Sequence, residues 1–577
     1  MASVNRAFRV AVAVPLALLA ACGSDAPTSP APSASVAPPS VPPSRTQPAA
    51  APPADPVLRA RETVKTLTDA DLAGQVLMPY AYGNDADKVD AAAAAGNQKI
   101  GGVNTPAELV AKFRLGGLIL VGFAPDDPTG ATNPATNVDS PQQVRVLTDG
   151  LQAAAARLPG GAPLLIGTDQ EYGVVTRVRT GVTVLPSAMA FGAARKPLLT
   201  EAAWHAAGSE LAAMGVNVDF APVADTLGSA GSSVIGSRSY GADPVANAEQ
   251  VRAAVRGLQA AGVSAALKHF PGHGHTTGDS HDDLPVVRQS AAKWEKEDRP
   301  PFDAGVEAGA GLVMSGHLDV EGLDKGVAAT FSRKIMTEVL RGRMKFTGVA
   351  VTDAMNMPPA MKWPAGEAAV RALNAGNDLL LMPPDITAAR DGIVAALQDG
   401  SLKRERLVEA VTRVLTLKFR KAGRAQPALS TLDSPDHQRA VAKADAASIT
   451  VLKGACSGPL VSGPVTVTAS GGRETARIAL VQALQQAGVT VQAAGGTVVH
   501  LVGYGDKRTD LSPGAAVTVS MDTPQLLSAA TSPALVATYS SSRLSLTALA
   551  AVIAGKAKAP GRSPVPVAGL PRSACVR

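Results

Sequence analysis

Residues 264–285 have the sequence SAALKHFPGHGHTTGDSHDDLP, which joins a short apolar run to a loop rich in histidine and aspartate. The run 264–268 has the length and composition of a strand that is buried on both faces. The rest of the stretch holds four of the chain's eight histidines and three aspartates, and its glycines leave the backbone free to turn. This order predicts an active-site loop at the carboxyl end of a parallel strand.

Seven further apolar runs between residues 57 and 425 also have the length and composition of buried strands. They alternate with stretches of helical spacing and length, such as those at 141–158 and 197–214. Eight strand–helix units over about 370 residues predict a (β/α)8 TIM-type barrel, although a doubly wound sheet uses the same alternation. The polar motifs favour the barrel because they follow the strands, where barrels carry their active-site loops. The predicted strands are 75–78, 117–121, 164–168, 216–221, 264–268, 312–315, 348–352 and 378–382.

The C-terminal region, residues 440–577, shows a second alternation of short apolar runs around a helical stretch near 475–487. This pattern predicts a smaller α/β sandwich domain after the catalytic barrel at 57–425. A linker at 426–439 is expected between them.

The amino terminus predicts export. Basic residues precede the apolar run 10–19, which is too short to span a bilayer. The run ends in LAAC at 19–22, which looks like a bacterial lipobox, so residues 1–21 are expected to be a signal peptide and Cys22 to be acylated. An ordinary cleaved signal is the alternative. Residues 22–56, rich in Pro, Ala and Ser, are expected to form a disordered tether from an anchor on the outer face of the bacterial cell membrane.

Charge and cysteine content narrow the possible partners. The net charge of +6 is small for 577 residues and is not clustered, so no nucleic-acid partner is expected. Besides Cys22 the chain holds only Cys456 and Cys575. In an exported protein a disulfide between these two is expected, with two buried free thiols as the alternative.

Two chemistries fit the histidine-rich loop. His273, His275 and His281 could supply three ligands to a zinc ion. Asp279 and His281 could instead form an acid/base pair, in which the carboxylate orients the imidazole and favours its protonated form. The composition of the loop leaves both chemistries open.

Other predicted strands deliver polar motifs at the same edge of the barrel. DQE follows the third strand at 169–171, PVAD follows the fourth at 222–225, and TDAM ends the seventh at 352–355. A surface role is common for any one of these residues. Their convergence on one face nevertheless predicts a polar pocket for a small hydroxylated ligand.

Taken in order, the motifs of the barrel region resemble glycoside hydrolase family 3, specifically its bacterial β-N-acetylglucosaminidase branch in a two-domain lipoprotein form. The resemblance covers about residues 60–425 and implies an exo-acting enzyme that removes terminal non-reducing N-acetylglucosamine, here from peptidoglycan fragments. One departure is Tyr172-Gly173-Val174 after the acidic motif, where the family commonly has two glycines and an arginine. The motifs are DQEYGVVTR at 169–177, VNVDFAPVADT at 216–226, IGSRSYGADP at 235–244, KHFPGHGHTTGDSH at 268–281 and VTDAMNM at 351–357.

The resemblance also implies roles for individual residues. Asp353 is the implied nucleophile of a retaining reaction through a covalent glycosyl–Asp intermediate, with His281 as general acid/base and Asp279 as its partner. This chemistry needs no cofactor and favours the acid/base interpretation of the loop over a metal site. The residues implied to hold the terminal sugar are Asp169, Arg177, Arg238, Lys268 and His269.

The resemblance leaves the acceptor open, because phosphate in place of water would make the protein a phosphorylase. An imidazole repels phosphate less than a second carboxylate would, so the His/Asp pair permits that reaction. A binding lipoprotein without activity is a third possibility. Since His281 belongs to the barrel, the C-terminal domain is expected to shape or stabilise the site without donating a catalytic group. The expected partners are an N-acetylglucosamine-containing glycan or muropeptide, and the membrane through the lipid anchor.

Overall fold

A computed structural model describes residues 55–122, 127–130, 133, 135–228, 232 and 234–576. The expected signal peptide, Cys22 and all of the expected tether except its last two residues lie outside these ranges. Within them, no helix combines the length and the apolar character needed to cross a membrane.

Within the described residues, eight parallel strands form a closed barrel in chain order. Six of them pair continuously, and the last pairs with the first. A bridge from Val351 to Leu379 and a 3.0 Å bond from the Ile119 N–H to the Pro79 carbonyl complete the ring. The predicted (β/α)8 barrel is therefore confirmed. Its strands are β1 (Leu77–Met78), β2 (Gly117–Leu120), β3 (Leu165–Thr168), β4 (Val218–Asp219), β5 (Ser264–Phe270), β7 (Leu312–Ser315), β9 (Val349–Thr352) and β10 (Leu380–Leu381), while β6 (Val286–Val287) and β8 (Asp319–Val320) form a separate parallel pair.

Helices surround the barrel, and their first residues explain where they begin. Ser140 accepts a hydrogen bond from the Gln143 N–H, with Pro141 in the first turn, and Thr105 forms a capping box with Glu108. The helices are α1 (Pro56–Lys65), α2 (Asp69–Gln75), α3 (Ala91–Gly101), α4 (Pro106–Phe113), α5 (Pro141–Ala155), α6 (Ala188–Ala194), α7 (Pro197–Ala213), α8 (Pro244–Ala260), α9 (Ala291–Glu297), α10 (Arg299–Glu307), α11 (Glu321–Asp324), α12 (Ala365–Ala375), α13 (Ile386–Asp399) and α14 (Arg404–Lys421), with a π-helix at Lys334–Arg343.

The barrel interior is filled with side chains. Met78 and Phe220 are fully buried there, on either side of Gly167. A Cβ atom at Gly167 would lie 2.7 Å from the Met78 methyl and 2.8 Å from the Phe220 ring, so only glycine fits between them. The barrel is thus a packed core, and ligands can enter only at its ends.

The C-terminal region forms the predicted smaller α/β domain. Over residues 450–537 its sheet has the order β11-β15-β14-β13-β12, in which β11 is antiparallel and the other strands are parallel. Outside these strands, Val491 forms a single parallel bridge to Val465. The elements are α15 (Pro435–Ser448), β11 (Thr450–Lys453), β12 (Val465–Ala469), α16 (Glu474–Gln486), β13 (Thr497–Val502), β14 (Val517–Ser520), β15 (Ala534–Ala537) and α17 (Arg543–Ile553).

The two faces of this sheet have different partners. Along β15, Ala534 and Val536 pack in the core formed with α16 and α17, whereas Leu535 and Ala537 pack with Met189 of the barrel helix α6. This alternation follows from the two-residue period of a strand. The barrel therefore covers the face that the domain's own helices leave open. The domain boundaries at 425 and 440 stay predictions.

A disulfide joins Cys456, which follows β11, to Cys575 near the end of the chain, with 5.2 Å between their Cα atoms. The two residues are 119 apart in sequence, so the bond encloses nearly all of the C-terminal sheet.

Candidate active site

A polar pocket lies at the carboxyl ends of the barrel strands, and it gathers seven of the eight residues expected to bind or react with substrate. Asp169 follows β3, Lys268 lies within the long strand β5, and Asp353 follows β9. The eighth residue, Asp279, contacts the pocket through His281. The other expected residues in the lining are Arg177, Arg238, His269 and His281.

A buried ion network forms one wall of the pocket. The Lys268 ammonium lies 2.7 Å from an Asp169 oxygen and 2.6 Å from a Glu171 oxygen. Arg238 contacts both Glu171 oxygens, at 2.7 and 2.9 Å. Burial raises the pKa of Glu171, but the charges of Arg238 and Lys268 outweigh it and hold that pKa well below the usual range. Lys268 and Arg238 therefore remain charged donors with fixed orientations.

Asp225 holds the start of the histidine-rich loop. Its carboxylate lies 2.7 Å from Nδ1 of His269 and accepts bonds from the backbone N–H groups of His269, at 3.1 Å, and His273, at 2.8 Å. Burial raises the pKa of Asp225, but the charge and hydrogen bond of His269 lower it below its ordinary value. Because Asp225 occupies Nδ1 of His269, the other ring nitrogen faces Arg238 at 3.2 Å.

Arg177 is locked by contacts on both sides. One guanidinium nitrogen pairs with Asp127, and the other donates to the Thr129 hydroxyl at 2.8 Å and lies 3.6 Å from Asp169. The Gln170 side chain accepts from the Arg177 backbone N–H at 3.0 Å. The loop after β3 is thus held by its own amide and ion pairs.

Asp353 presents its carboxylate at the end of β9. Its backbone N–H donates to the Ser315 carbonyl at 2.9 Å, and one carboxylate oxygen accepts the Ala354 N–H at 2.8 Å. Burial raises the pKa of Asp353, but the charges of His269 and His317 and the bond from Ala354 lower it below its ordinary value. An ionised carboxylate is the form that a nucleophile needs.

His281 and Asp279 form a hydrogen-bonded pair at the edge of the pocket. Nδ1 of His281 lies 2.7 Å from an Asp279 oxygen, which also accepts the His281 backbone N–H at 2.9 Å. Burial raises the pKa of Asp279, but the hydrogen bonds from His281 lower it below its ordinary value. The carboxylate therefore stabilises a proton on Nδ1 and leaves Nε2 for proton transfer.

The other two histidines of the loop have separate partners. Nε2 of His273 lies 3.2 Å from the Ser280 hydroxyl, and burial lowers the pKa of His273 to about 4. Both ring nitrogens of His275 lie 2.9 Å from carboxylates, one of Asp298 and one of Glu297. In the part of the chain that the structure describes, no group of three His, Cys, Asp or Glu side chains is arranged to hold a metal ion.

Sequence reasoning assigned no role to three residues that build the site: Glu171, Asp225 and His317. Glu171 and Asp225 lie in quoted polar motifs and His317 follows β7, so position after a strand was the available signal. His317 bonds to the Ala354 carbonyl at 3.0 Å and to the Thr330 hydroxyl at 2.9 Å, and thereby supports the backbone beside Asp353. Their partners come from other strands, which spacing along the chain cannot reveal.

The fold and the site together define a barrel enzyme in which a carboxylate and an imidazole–carboxylate pair adjoin one small polar pocket, the arrangement expected of a glycoside hydrolase. The chain belongs to glycosyl hydrolase family 3, because the model of that family's N-terminal domain matches residues 94–417.

Curated relatives share this part of the chain. Beta-hexosaminidase A of Pseudoalteromonas piscicida is 33% identical over 377 residues, which cover 60% of this chain and 61% of that protein. Beta-hexosaminidase of Xylella fastidiosa strain 9a5c is 40% identical over 254 residues, or 43% of this chain and 73% of that protein. The match thus spans less than two thirds of the length of the Pseudoalteromonas piscicida protein.

Solved structures extend the likeness to both domains. A glycoside hydrolase family 3 beta-N-acetylglucosaminidase from Paenibacillus sp. str. FPU-7 has a TM-score of 0.75 and 31% identity, covering 87% of this chain and 99% of that chain. The beta-glucoside phosphorylase BglX also has a TM-score of 0.75, with 22% identity over 89% of this chain and 97% of that chain, and shows a likeness in fold.

Proposed function

We propose that the protein is an exo-acting retaining β-N-acetylglucosaminidase, a β-N-acetylhexosaminidase that hydrolyses terminal non-reducing N-acetylglucosamine. One observation carries this proposal: the Asp353 carboxylate and the His281 imidazole line the same pocket as the charged residues of the Lys268 network. The names of the curated relatives and of the Paenibacillus structure support the acetamido sugar as substrate.

In the first step, a carboxylate oxygen of Asp353 attacks the anomeric carbon while the bond from that carbon to the aglycone oxygen breaks. Nε2 of His281 gives its proton to the leaving oxygen, and the Asp279 carboxylate stabilises the imidazolium before transfer. The Ala354 N–H donates to one oxygen of Asp353 and thereby fixes the orientation of the attacking carboxylate.

In the second step, water attacks the anomeric carbon of the glycosyl–Asp intermediate from the side the aglycone has left. His281, now neutral, takes the proton of that water at Nε2, and the bond to Asp353 breaks. Two inversions give net retention, and both residues return to their starting protonation states.

The buried charges explain how one terminal sugar would be held. Lys268 and Arg238 are fixed donors, and Asp169 offers carboxylate oxygens, so sugar hydroxyls meet groups whose orientation is already set. Solvent reaches these groups poorly, which strengthens each hydrogen bond to the substrate.

A pair of aryl β-glycosides that differ in the sugar tests the proposal directly. The purified protein is given an aryl N-acetylglucosaminide and the matching glucoside, each with and without phosphate, and the released sugar is identified. Free N-acetylglucosamine under both conditions supports hydrolysis. Sugar 1-phosphate formed in the presence of phosphate would replace hydrolysis with phosphorolysis, and preference for the glucoside would exclude the acetamido-sugar assignment.

We further propose peptidoglycan fragments as the natural substrate and an acylated Cys22 as the anchor at the outer face of the cell membrane. The lipobox-like LAAC at 19–22 and the Pro/Ala/Ser-rich segment after it support this location. Replacement of Cys22 by Ala should release the protein from the membrane fraction, and unchanged membrane association would contradict the anchor.

A further inference from the structure

A second cavity, of about 260 Å³, lies where the C-terminal tail that follows α17 packs against the barrel. Its barrel wall is formed by the end of α6 and by the segment that leads into α8, while residues 562–564 and Arg572 of the tail form the other wall. None of the described residues that line it belongs to the active-site pocket. The cavity is therefore separate from the proposed glycosidase chemistry.

Main-chain hydrogen bonds fix the two walls of this cavity relative to each other. The Arg562 N–H donates to the Ala193 carbonyl at 3.1 Å, and the Ala242 N–H donates to the Pro564 carbonyl at 3.2 Å. A Cβ atom at Gly241 would lie 2.7 Å from the Pro564 side chain, so the two backbones approach as closely as glycine allows. The cavity is thus preformed, and its side chains project from a rigid frame.

The lining of the cavity carries an excess of positive charge. Its charged groups are one carboxylate, Asp243, and three guanidinium groups, which leaves a net charge of +2. One oxygen of Asp243 caps α8 by accepting two N–H groups of its first turn, at 3.0 and 3.2 Å. Within the described part of the chain, no carboxylate lies within ion-pair distance of any of the three arginines. These arginines, whose charges the protein itself does not neutralise, are Arg195, Arg562 and Arg572.

Two of these cations are held close enough to repel each other. Burial lowers the pKa of Arg572, and the charge of Arg562 lowers it further, while Tyr539 and Asp243 offset these effects only in part. The Arg572 guanidinium also donates to the Ser563 carbonyl at 3.0 Å, which fixes its position. An anion between the two guanidinium groups would replace this repulsion with attraction.

The charge and size of the cavity favour a phosphate group over a carboxylate. A guanidinium group binds either anion through paired N–H donors. A phosphate monoester carries a charge of about −1.5 to −2 at pH 7, which matches the net charge of the lining, whereas a carboxylate carries a single charge. The volume lies just below the ~300 Å³ at which pockets for drug-sized ligands begin, so it suits a small ester.

We propose that this cavity binds the phosphate group of a phosphomonoester, which Arg195, Arg562 and Arg572 hold by charge-assisted hydrogen bonds. The same chemistry is presented by a soluble ester and by the headgroup of a lipid such as phosphatidic acid. The inference goes beyond the proposed glycosidase function and does not depend on it, because the two sites share no described lining residue.

Calorimetric titration with glycerol 3-phosphate, in low-salt buffer at neutral pH, tests the site. The wild type should bind with a Kd below about 1 mM, and lactate, which offers a carboxylate instead, should bind at least about tenfold more weakly. Arg195→Gln and Arg562→Gln should each weaken binding of the phosphate ester about tenfold, since each removes one charge-assisted bond. Arg256→Gln is the matched control, because Arg256 is an exposed arginine on α8 outside the lining, and its Kd should equal that of the wild type.

Two further measurements separate this site from the barrel pocket and identify the source of the phosphate. Saturating N-acetylglucosamine should leave phosphate binding unchanged, and all three variants should keep the wild-type kcat on an aryl N-acetylglucosaminide, with thermal melting as the check that each is folded. Vesicle binding is measured with Cys22→Ala protein, so that the expected anchor does not contribute. Retention on phosphatidic acid but not phosphatidylcholine vesicles, lost when Arg195→Gln and Arg562→Gln are combined, supports a lipid headgroup. Binding of glycerol 3-phosphate without such retention supports a soluble ester.

A wild type that binds neither glycerol 3-phosphate nor phosphatidic acid vesicles would overturn the site. Equal affinity for lactate and for the phosphate ester would overturn the choice of ligand. Phosphate binding that the Arg195→Gln, Arg562→Gln double variant retains, or that N-acetylglucosamine abolishes, would place the anion elsewhere and would overturn the site as well. A wild type that binds the ester but cleaves no aryl N-acetylglucosaminide would overturn the proposed function alone.

Discussion

Asp353 carries its negative charge among histidines, and this environment sets when it can act. Burial alone would raise its pKa, but His269, His317, His281 and the Ala354 N–H together lower it below the ordinary 3.8. The carboxylate is therefore ionised at every pH at which the protein would work. Protonation of Asp353 cannot account for a loss of activity between pH 5 and neutrality.

Replacing Asp353 by Asn should abolish turnover, because an amide cannot form the glycosyl ester. We expect kcat on an aryl N-acetylglucosaminide to fall by roughly a thousandfold or more. Circular dichroism and thermal melting serve as the control for folding. Wild-type turnover in the folded variant would exclude Asp353 as the nucleophile.

Asp279 should matter to proton transfer and little to binding, since its carboxylate contacts His281. Asp279→Asn removes the charge that stabilises the imidazolium, so kcat should fall about 10- to 100-fold with little change in KM. Asp282→Asn is the matched control on the same loop, because the Asp282 side chain is exposed. Equal losses in both variants would show a general effect of the loop's charge.

At the scale of elements, the loop that carries His281 is fixed at three places. Asp225 holds its first turn through the His273 backbone, and β6 pairs with β8 at its far end. Between them, His275 joins the loop to the junction of α9 and α10 through Asp298 and Glu297. These anchors position His281 and Asp279, and the first of them acts through His273, which also lines the pocket.

His275→Gln should loosen this anchor, because glutamine cannot make two charge-assisted bonds. Burial lowers the pKa of His275, but the bonds and charges of Asp298 and Glu297 outweigh it and raise that pKa above 6.5. The protonated ring therefore stabilises the fold most below pH 6.5, and this contribution is lost as the pH rises through the folded-state pKa.

We accordingly expect kcat to fall about tenfold in His275→Gln, with a Tm deficit that is largest below pH 6.5 and shrinks at alkaline pH. The control is His205→Gln on α7, an exposed histidine. A Tm deficit independent of pH would contradict stabilisation of the fold by a protonated His275.

The sequence predicted the eight barrel strands, but not every strand boundary and not the short strands outside the barrel. Eight apolar runs gave the barrel, yet β1 begins only at Leu77, because α2 extends through Gln75 and apolar character does not separate a helix end from a strand. The two-residue strands β6 and β8 were not predicted, since neither is long enough to show a period.

The same limit applies to the site. Asp279 and His281 lie two residues apart in one loop, so the sequence could suggest them as a pair, whereas the role expected of Asp353 was implied by the family resemblance. The role of Glu171 depends on its ion pairs with Lys268 and Arg238, which come from two other strand–loop segments. Spacing along one segment carries no information about such a partner.

At the scale of the whole molecule, the C-terminal domain is attached to the barrel by polar contacts as well as by its sheet. The Ser187 hydroxyl donates to the Tyr539 carbonyl at 2.6 Å, and His437 of α15 lies 2.8 Å from Glu210 of α7. The disulfide then closes the domain on itself. The contacts through Ser187 and Glu210 should couple the unfolding of the domain to that of the barrel.

Loss of the disulfide should lower stability, because a cross-link over 119 residues restricts the unfolded chain. The chain-entropy relation gives about 4 to 5 kcal/mol for a loop of this size, and we expect a fall in Tm of several degrees in the Cys456→Ser, Cys575→Ser double variant. Reductant should lower the Tm of the wild type and leave that of the variant unchanged. Equal Tm values for both proteins without reductant would contradict this.

The buried Ser237 hydroxyl of the barrel donates a hydrogen bond to the Asp522 carboxylate of the C-terminal domain. Ser237 adjoins Arg238 of the polar pocket, so the C-terminal domain supports that pocket from outside the barrel. A chimera that joins this barrel to a related C-terminal domain must keep an acceptor at position 522, or it leaves a buried hydroxyl without its partner. A chimera that keeps an acceptor at position 522 should therefore be more stable than one that replaces it with an apolar residue.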